Sequence, residues 1–197
     1  MITANVKPGK LFIISSPTGG GKTTIVTAVL NRLQGEIPIR RIVTSTTRQP
    51  RCNEINEVDY NFITKDEFIK QSKAGKFLET NEFAGEFYGS PISIIADLKA
   101  GKTLIIITDR LGAESLQLLI PESVLIWITV SDIKLIKERL RKRDELSKTK
   151  TEHRGQIAQK EFEQEKMEHF FKYHVLNDVL EDAIQQTISI IKTELAC

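Results

Sequence analysis

The stretch Ser16-Pro17-Thr18-Gly19-Gly20-Gly21-Lys22-Thr23-Thr24, directly behind the apolar run Leu11–Ile14, has the residue types needed to hold a polyphosphate. Glycines let successive backbone N–H groups converge on phosphate oxygens without an intervening Cβ. A helix behind the loop presents the positive end of its dipole to the same anion. At this spacing Lys22 is expected to reach the β- and γ-phosphates of a nucleoside triphosphate. Thr23 is expected to place its hydroxyl on Mg²⁺. The general pattern has a glycine six residues before the lysine, and this chain has Ser16 there.

A second anion site is written into Ser45-Thr46-Thr47-Arg48-Gln49-Pro50-Arg51. Two arginines three residues apart, beside a run of hydroxyls, suit bidentate capture of a planar or tetrahedral anion.

These residues need a frame, and the hydropathy pattern supplies one. Ile25, Val26, Val29, Leu30 and Leu33 predict a helix over 24–33 after the loop. Ile39–Thr44 and Tyr60–Ile63 read as strands, and Thr64 with Glu67 reads as a helix-opening capping box. Phe77–Phe83 alternates as a strand, and Glu86–Pro91 reads as a turn leading into a helix over 92–99. Thr103–Ile107 and Val124–Ile128 are unbroken apolar runs of the kind buried parallel strands show. Trp127 falls in the second of these and reads as packing. Residues 131–172 are helical and highly charged, Val175-Leu176 is a short last strand, and Val179–Leu195 a closing amphipathic helix. The sum is an α/β fold with a parallel core sheet, helices on both faces and two excursions.

The chain's 197 residues are 40% hydrophobic and 27% charged, with a net charge of +2. That size holds one good core, and the charge gives no argument for nucleic acid or an anionic membrane. No apolar run approaches the length of a membrane span, and residues 1–10 lack a signal-peptide core. Cys52 and Cys197 have no metal-site spacing, and His153, His169 and His174 show no partner pattern. These features predict a cytoplasmic protein without a zinc site.

The assembled motifs resemble the guanylate kinases, a family of P-loop nucleoside monophosphate kinases. The family's S-x-P-S-G-x-G-K-[ST] loop is similar to Ser15–Thr23, and its S-x-T-T-R-x-P-R segment to Thr44–Arg51. D-Y-x-F stands at Asp59–Phe62, F-[IL]-E at Phe77–Glu79, Y-G-[ST] at Tyr88–Ser90, R-L-x-x-R at Arg139–Arg143 and N-D at Asn177-Asp178. The resemblance implies a single domain with core segments 1–38, 91–134 and 173–197. It also implies a small mixed GMP-binding insertion at 39–90 and a helical lid at 135–172.

For activity, the resemblance implies transfer of the γ-phosphoryl group of ATP to GMP with Mg²⁺. Arg48, Arg51, Tyr60 and Tyr88 would clamp the GMP phosphate. Glu79, with Thr44, Ser90 and Asp109, would read the guanine. Arg143 and Arg154, on the lid, would join Lys22 and Arg48 as the catalytic cations. Arg139 and Asn177 would flank the adenine. The implied partners are the two nucleotides, with no nucleic acid or membrane, in a monomer or homodimer.

One family segment departs. D-x-D-x-x-G here reads Ile107-Thr108-Asp109-Arg110-Leu111-Gly112, with Ile107 for the first acid and Leu111 for a usual Gln. The replacement predicts weakened Mg²⁺ handling or turnover. Two other readings compete. One is a guanylate-kinase-like module that binds partners without catalysis, and the other a P-loop kinase for a different phosphorylated ribose. Lys22, Thr23, Arg48, Arg51, Tyr60 and Tyr88 are retained against the first, and Glu79 with the arginine segment argues against the second.

Overall fold

The computed structural model describes residues 7–52, 54–143 and 148–196, and the side chains of all of these except 142, 143 and 148–151. Cys197 lies outside them.

Five parallel strands form the core sheet: β1 (Leu11–Ser15), β2 (Ile39–Arg41), β7 (Thr103–Ile107), β8 (Val124–Thr129) and β9 (Tyr173–Leu176). Their order is β2-β7-β1-β8-β9, so the chain fills one side of β1 and then the other. The crevice beyond the C-terminal end of β1 is therefore a topological switch point, where open α/β sheets bind ligands. The glycine-rich loop leaves β1 at that point and enters α1 (Lys22–Leu33).

The apolar strands are buried on both faces, which explains their unbroken hydrophobicity. Phe12 and Ile14 face α1 and α7 (Leu180–Ala196), packing with Ile25, Val29, Ile184 and Ile191. Leu11 and Ile13 face the opposite layer, where α3 (Ser93–Lys99) and α4 (Arg110–Leu119) contribute Ile94, Leu98, Ala113 and Leu116. Trp127 is fully buried in that layer, its ring 4.9 Å from that of Phe171. It is packing, as its strand setting predicts.

A second sheet, ordered β4-β3-β6-β5, stands beside the core. Its strands are β3 (Ser45–Thr46), β4 (Asn61–Phe62), β5 (Phe77–Phe83) and β6 (Glu86–Pro91), with α2 (Lys65–Lys73) packed on it through Phe68. Thr64 caps α2 by accepting the Glu67 amide at 3.2 Å, as its sequence signature predicts. Helices α5 (Ile133–Arg143) and α6 (Lys148–Glu168) pack together through Ile136, Leu140 and Ala158.

Two sequence expectations are corrected. Glu86–Pro91 is a strand, because the chain turns earlier, at Ala84-Gly85. Both residues have positive φ (53° and 81°) between the paired residues Phe83 and Glu86. That is the pattern of a two-residue hairpin, and it folds residues 86–91 back onto β5. The run 39–44 is not one strand either. Ile39–Arg41 pairs with β7 in the core sheet, and the chain then crosses to the second sheet, which starts at Ser45. Residue 39 is thus a core position and does not open the insertion.

Candidate active site

The phosphate loop is held by its own polar atoms. Gly20 N–H donates to the Pro17 carbonyl at 2.9 Å, and the Ser16 hydroxyl to the same oxygen at 2.8 Å. Gly19 and Gly21 have φ of 91° and 98°, which L side chains adopt only with strain. A Cβ on Gly19 would also lie 3.0 Å from the Leu140 side chain. Lys22 Nζ reaches back to the Ser16 carbonyl at 2.8 Å and to its hydroxyl at 3.0 Å. Thr23 and Thr24 are exposed in the first turn of α1. Thr18 N–H points to Glu161 Oε2 of α6, 3.0 Å away.

Asn177 and Arg139 sit beside this loop. Asn177 is buried and donates its amide to the Gly20 carbonyl at 2.8 Å, so its side chain braces the loop. Arg139 donates to the Asn177 carbonyl at 2.8 Å. A cavity of about 300 Å³ opens here, lined by Gly19, Gly21, Thr24, Arg139, Asn177 and Leu180. Arg143 ends α5, and its side chain lies outside the described residues. Arg154 is half-buried on α6.

The second sheet assembles the other predicted residues. Arg48 lies over the Tyr60 ring, 5.4 Å from its centroid, and Tyr60 meets Tyr88 edge-on at 6.1 Å. Both terminal nitrogens of Arg48 contact the Glu54 carboxylate, at 3.0 and 3.1 Å. Glu54 also accepts the Arg51 amide at 2.8 Å and lies 3.7 Å from the Arg51 guanidinium. Burial pushes the Glu54 carboxyl up, but Arg48 and Arg51 outweigh it and hold the group below its ordinary range. Burial likewise opposes the Arg48 charge, and Glu54 more than restores it.

Across the sheet, Glu79 on β5 faces Ser90 on β6, whose hydroxyl donates to Glu79 Oε1. Glu79 Oε2 is buried without a partner. Burial raises the Glu79 carboxyl to about 7, the Ser90 hydroxyl pulls it back, and the nearby Asp109 charge adds to the rise. Asp109 caps α4 by accepting the Gly112 amide at 2.8 Å, and it also accepts Asn81 Nδ2 at 3.1 Å. Burial raises Asp109 too, against the pull of the Gly112 amide and the Lys22 charge. Thr44 is buried at the entry to β3. Ile107, in place of the family's first acid, is buried among Phe12, Ile14 and the α1 side chains.

Sequence reasoning missed Glu54, Asn81, Glu161 and Arg110. Asn81 lies two residues beyond Glu79 on one strand, so the two share a face. Glu54 follows Arg51 by three residues. Those spacings were readable. Glu161 meets Thr18 across 143 residues, and nothing local marks it.

A parallel sheet with a glycine-rich loop at its switch point, followed by a Lys-Thr helix start and facing an arginine clamp, defines a P-loop kinase fold. A solved guanylate kinase from Anaplasma phagocytophilum has the same fold, with a TM-score of 0.78 at 23% identity over 95% of this chain and 87% of that one. The family model described as guanylate kinase matches residues 8–194. Among curated relatives, a guanylate kinase from Wolbachia sp. subsp. Brugia malayi is 37% identical over 94% of this chain and 93% of its own. Another, from Lactobacillus delbrueckii subsp. bulgaricus, is 33% identical over 94% and 89%. The chain belongs to the guanylate kinase family.

Proposed function

We infer that this chain transfers the γ-phosphoryl group of ATP to GMP, giving ADP and GDP. The observation that carries the reading is the half-satisfied Glu79 carboxylate beside an arginine–tyrosine clamp. Guanine presents N1–H and its 2-amino group side by side, and a carboxylate accepts both. Adenine would leave Glu79 Oε2 buried and unpaired, a mismatch that lets such sites discriminate by about 10⁴ or more.

Arg48 and Arg51 take the GMP phosphate, with Tyr60 and Tyr88 donating phenolic hydroxyls to it. Thr44 and Ser90 complete the guanine edge, and Asp109 lies behind it. The loop amides other than those of Thr18 and Gly20, which are held by Glu161 and the Pro17 carbonyl, take the ATP phosphates. Lys22 leaves the Ser16 carbonyl to neutralise charge on the transferred group. Arg143 and Arg154 supply further positive charge from the lid, where one such arginine contributes about 10³–10⁵ in rate. Arg139 and Asn177 border the cavity taken as the adenine site.

The donor set fits Mg²⁺. The exposed Thr23 hydroxyl at the start of α1 offers one oxygen. Mg²⁺ keeps most of its waters and binds mainly through substrate phosphates, so a cage of acids is not required. Thr23 would hold the ion in part, and the ion would supply positive charge to offset that of the phosphates.

The enzyme's division of labour follows the two sheets. The core with its loop serves ATP, the second sheet serves GMP, and α5 and α6 cover the junction to exclude water. Among the described residues no helix is long and apolar enough to cross a membrane.

The test is coupled ADP production with ATP and Mg²⁺ against GMP, AMP, UMP, CMP and no acceptor. Turnover with GMP alone is expected. Equal rates with AMP, or no acceptor-dependent ADP, would overturn the reading.

A further inference from the structure

One face of α6 carries Glu161, Glu165 and Glu168, and core residues engage all three. Glu165 is buried, pairs with Arg110, accepts the Phe171 amide at 3.1 Å and meets His174 Nε2 at 2.8 Å. Glu168 pairs with Arg110 at 2.6 Å. Arg110 opens α4 and is itself buried. The C-terminal half of α6 is therefore fastened to α4 and to the β9 layer.

One turn before Glu165, that fastened segment delivers Glu161 to the phosphate loop. Glu161 is buried, and its Oε2 accepts the Thr18 N–H at 3.0 Å. The charged groups around it are Lys22, Asp109 and Arg110. The loop needs a fixed point there. Gly19 and Gly21, both at positive φ, give this stretch wide conformational freedom. Pro17 O and Gly20 O are braced by Ser16, Gly20 N–H and Asn177, whereas the Thr18 amide is held from α6. An amide tied to Glu161 is directed away from the phosphates and sets how its neighbours face them.

We propose that Glu161 is a positioning residue for the phosphate loop: its carboxylate, presented by the fastened half of α6, orients the Thr18 amide and thereby the loop conformation that receives ATP. This rests on the reading that the loop binds ATP. What matters is an acceptor oxygen at that reach, and the negative charge is dispensable.

Calorimetric titration with MgATP, without GMP, tests it on the full chain and on E161Q, E161D and E161A. E161Q keeps an acceptor at the same reach and is expected to bind within about threefold of wild type. E161D falls short by one methylene, and both it and E161A are expected to bind about tenfold more weakly, the equivalent of one neutral hydrogen bond. GMP affinity is expected to be unchanged throughout, which a general loss of folding would not allow. If E161A fails to fold, the comparison of E161D with E161Q carries the test. ATP affinity in E161A and E161D equal to wild type overturns the proposal, as does E161Q binding as weakly as they do. A wild-type chain that binds no ATP overturns the underlying reading instead.

Discussion

Ser90 donates its hydroxyl to Glu79 Oε1, while Glu79 Oε2 is buried with no partner. One oxygen fixes the carboxylate's direction and the other is left for a ligand. Asn81, on the same face of β5, repeats the arrangement. Its Nδ2 is committed to Asp109 and its Oδ1 is buried and unpartnered. A polar wall with unused acceptors costs free energy until donors arrive, which favours a base edge rich in N–H groups.

GMP affinity is expected to rise with pH toward about 7 and then level off. Burial raises the Glu79 carboxyl to about 7. Between its ordinary value and 7, the folded chain holds a proton that the unfolded chain has lost. The group's contribution to folding stability therefore declines as pH rises through that window. Guanine needs the ionised form, so binding expels the proton and strengthens with pH. Titration calorimetry from about pH 5.5 to 8.5 reads this directly, and Glu79→Gln should flatten it while weakening GMP by about 10²-fold or more. The slope left in the variant belongs to the GMP phosphate, whose second pKa is about 6. Identical slopes in the two proteins would remove Glu79 from guanine recognition.

The sequence exposes what short-range chemistry decides. Residues 11–33 show their strand, loop and helix because glycine freedom, apolar runs and helical spacing all act locally. Thr64 shows its cap for the same reason. The strand at Glu86–Pro91 is hidden because its pairing depends on where the hairpin turns, and Ala84 takes a positive φ that its residue type does not advertise. The residues proposed for GMP are legible as types, and Glu54 is legible only through its three-residue spacing from Arg51. Arg110 and Glu161 are invisible, since a lone charge on a helix usually faces water and their partners lie 55 and 143 residues away.

Glu54→Gln is expected to raise the KM for GMP by about ten- to a hundredfold with little change in the KM for ATP. Glu54 receives both terminal nitrogens of Arg48 and the Arg51 amide, so it sets the direction of the clamp. A hydrogen bond to a charged group contributes about 1.5–3 kcal/mol, which gives that range. Steady-state kinetics with each nucleotide varied separate the two constants. A tighter GMP site in the variant would mean that Glu54 competes with the phosphate for the arginines.

Restoring the family's acid through Ile107→Asp is expected to cost about 2–4 kcal/mol of stability. Ile107 is only 6% exposed and packs with Phe12, Ile14 and Val26 at the end of β7. A carboxylate there has lost its solvent and gains no apolar contact. Urea unfolding followed by Trp127 fluorescence measures the loss. A variant that keeps wild-type stability and turns over faster would show that this end of the core accommodates an acid.

Replacing Arg110 by methionine is expected to destabilise the chain by about 3–5 kcal/mol, the usual cost of removing one partner of a buried ion pair. The loss concentrates on Glu165, whose side chain is 2% exposed, whereas those of Glu168 and Glu114 are 50% and 33% exposed and are relieved by water. The double variant R110M/E165Q should recover a large part of the loss. Glutamine carries no charge to strand, yet it still offers an acceptor to the Phe171 amide. Arg110→Lys should fall between the wild type and R110M, because an ammonium cannot reproduce the flat fork that serves three carboxylates while lying 5.3 Å from the Phe170 ring centroid. Urea unfolding of the three variants distinguishes charge burial from packing. If R110M/E165Q is no more stable than R110M, the lost contacts with Phe170 and Phe171 dominate, and the pair is not what fastens α6.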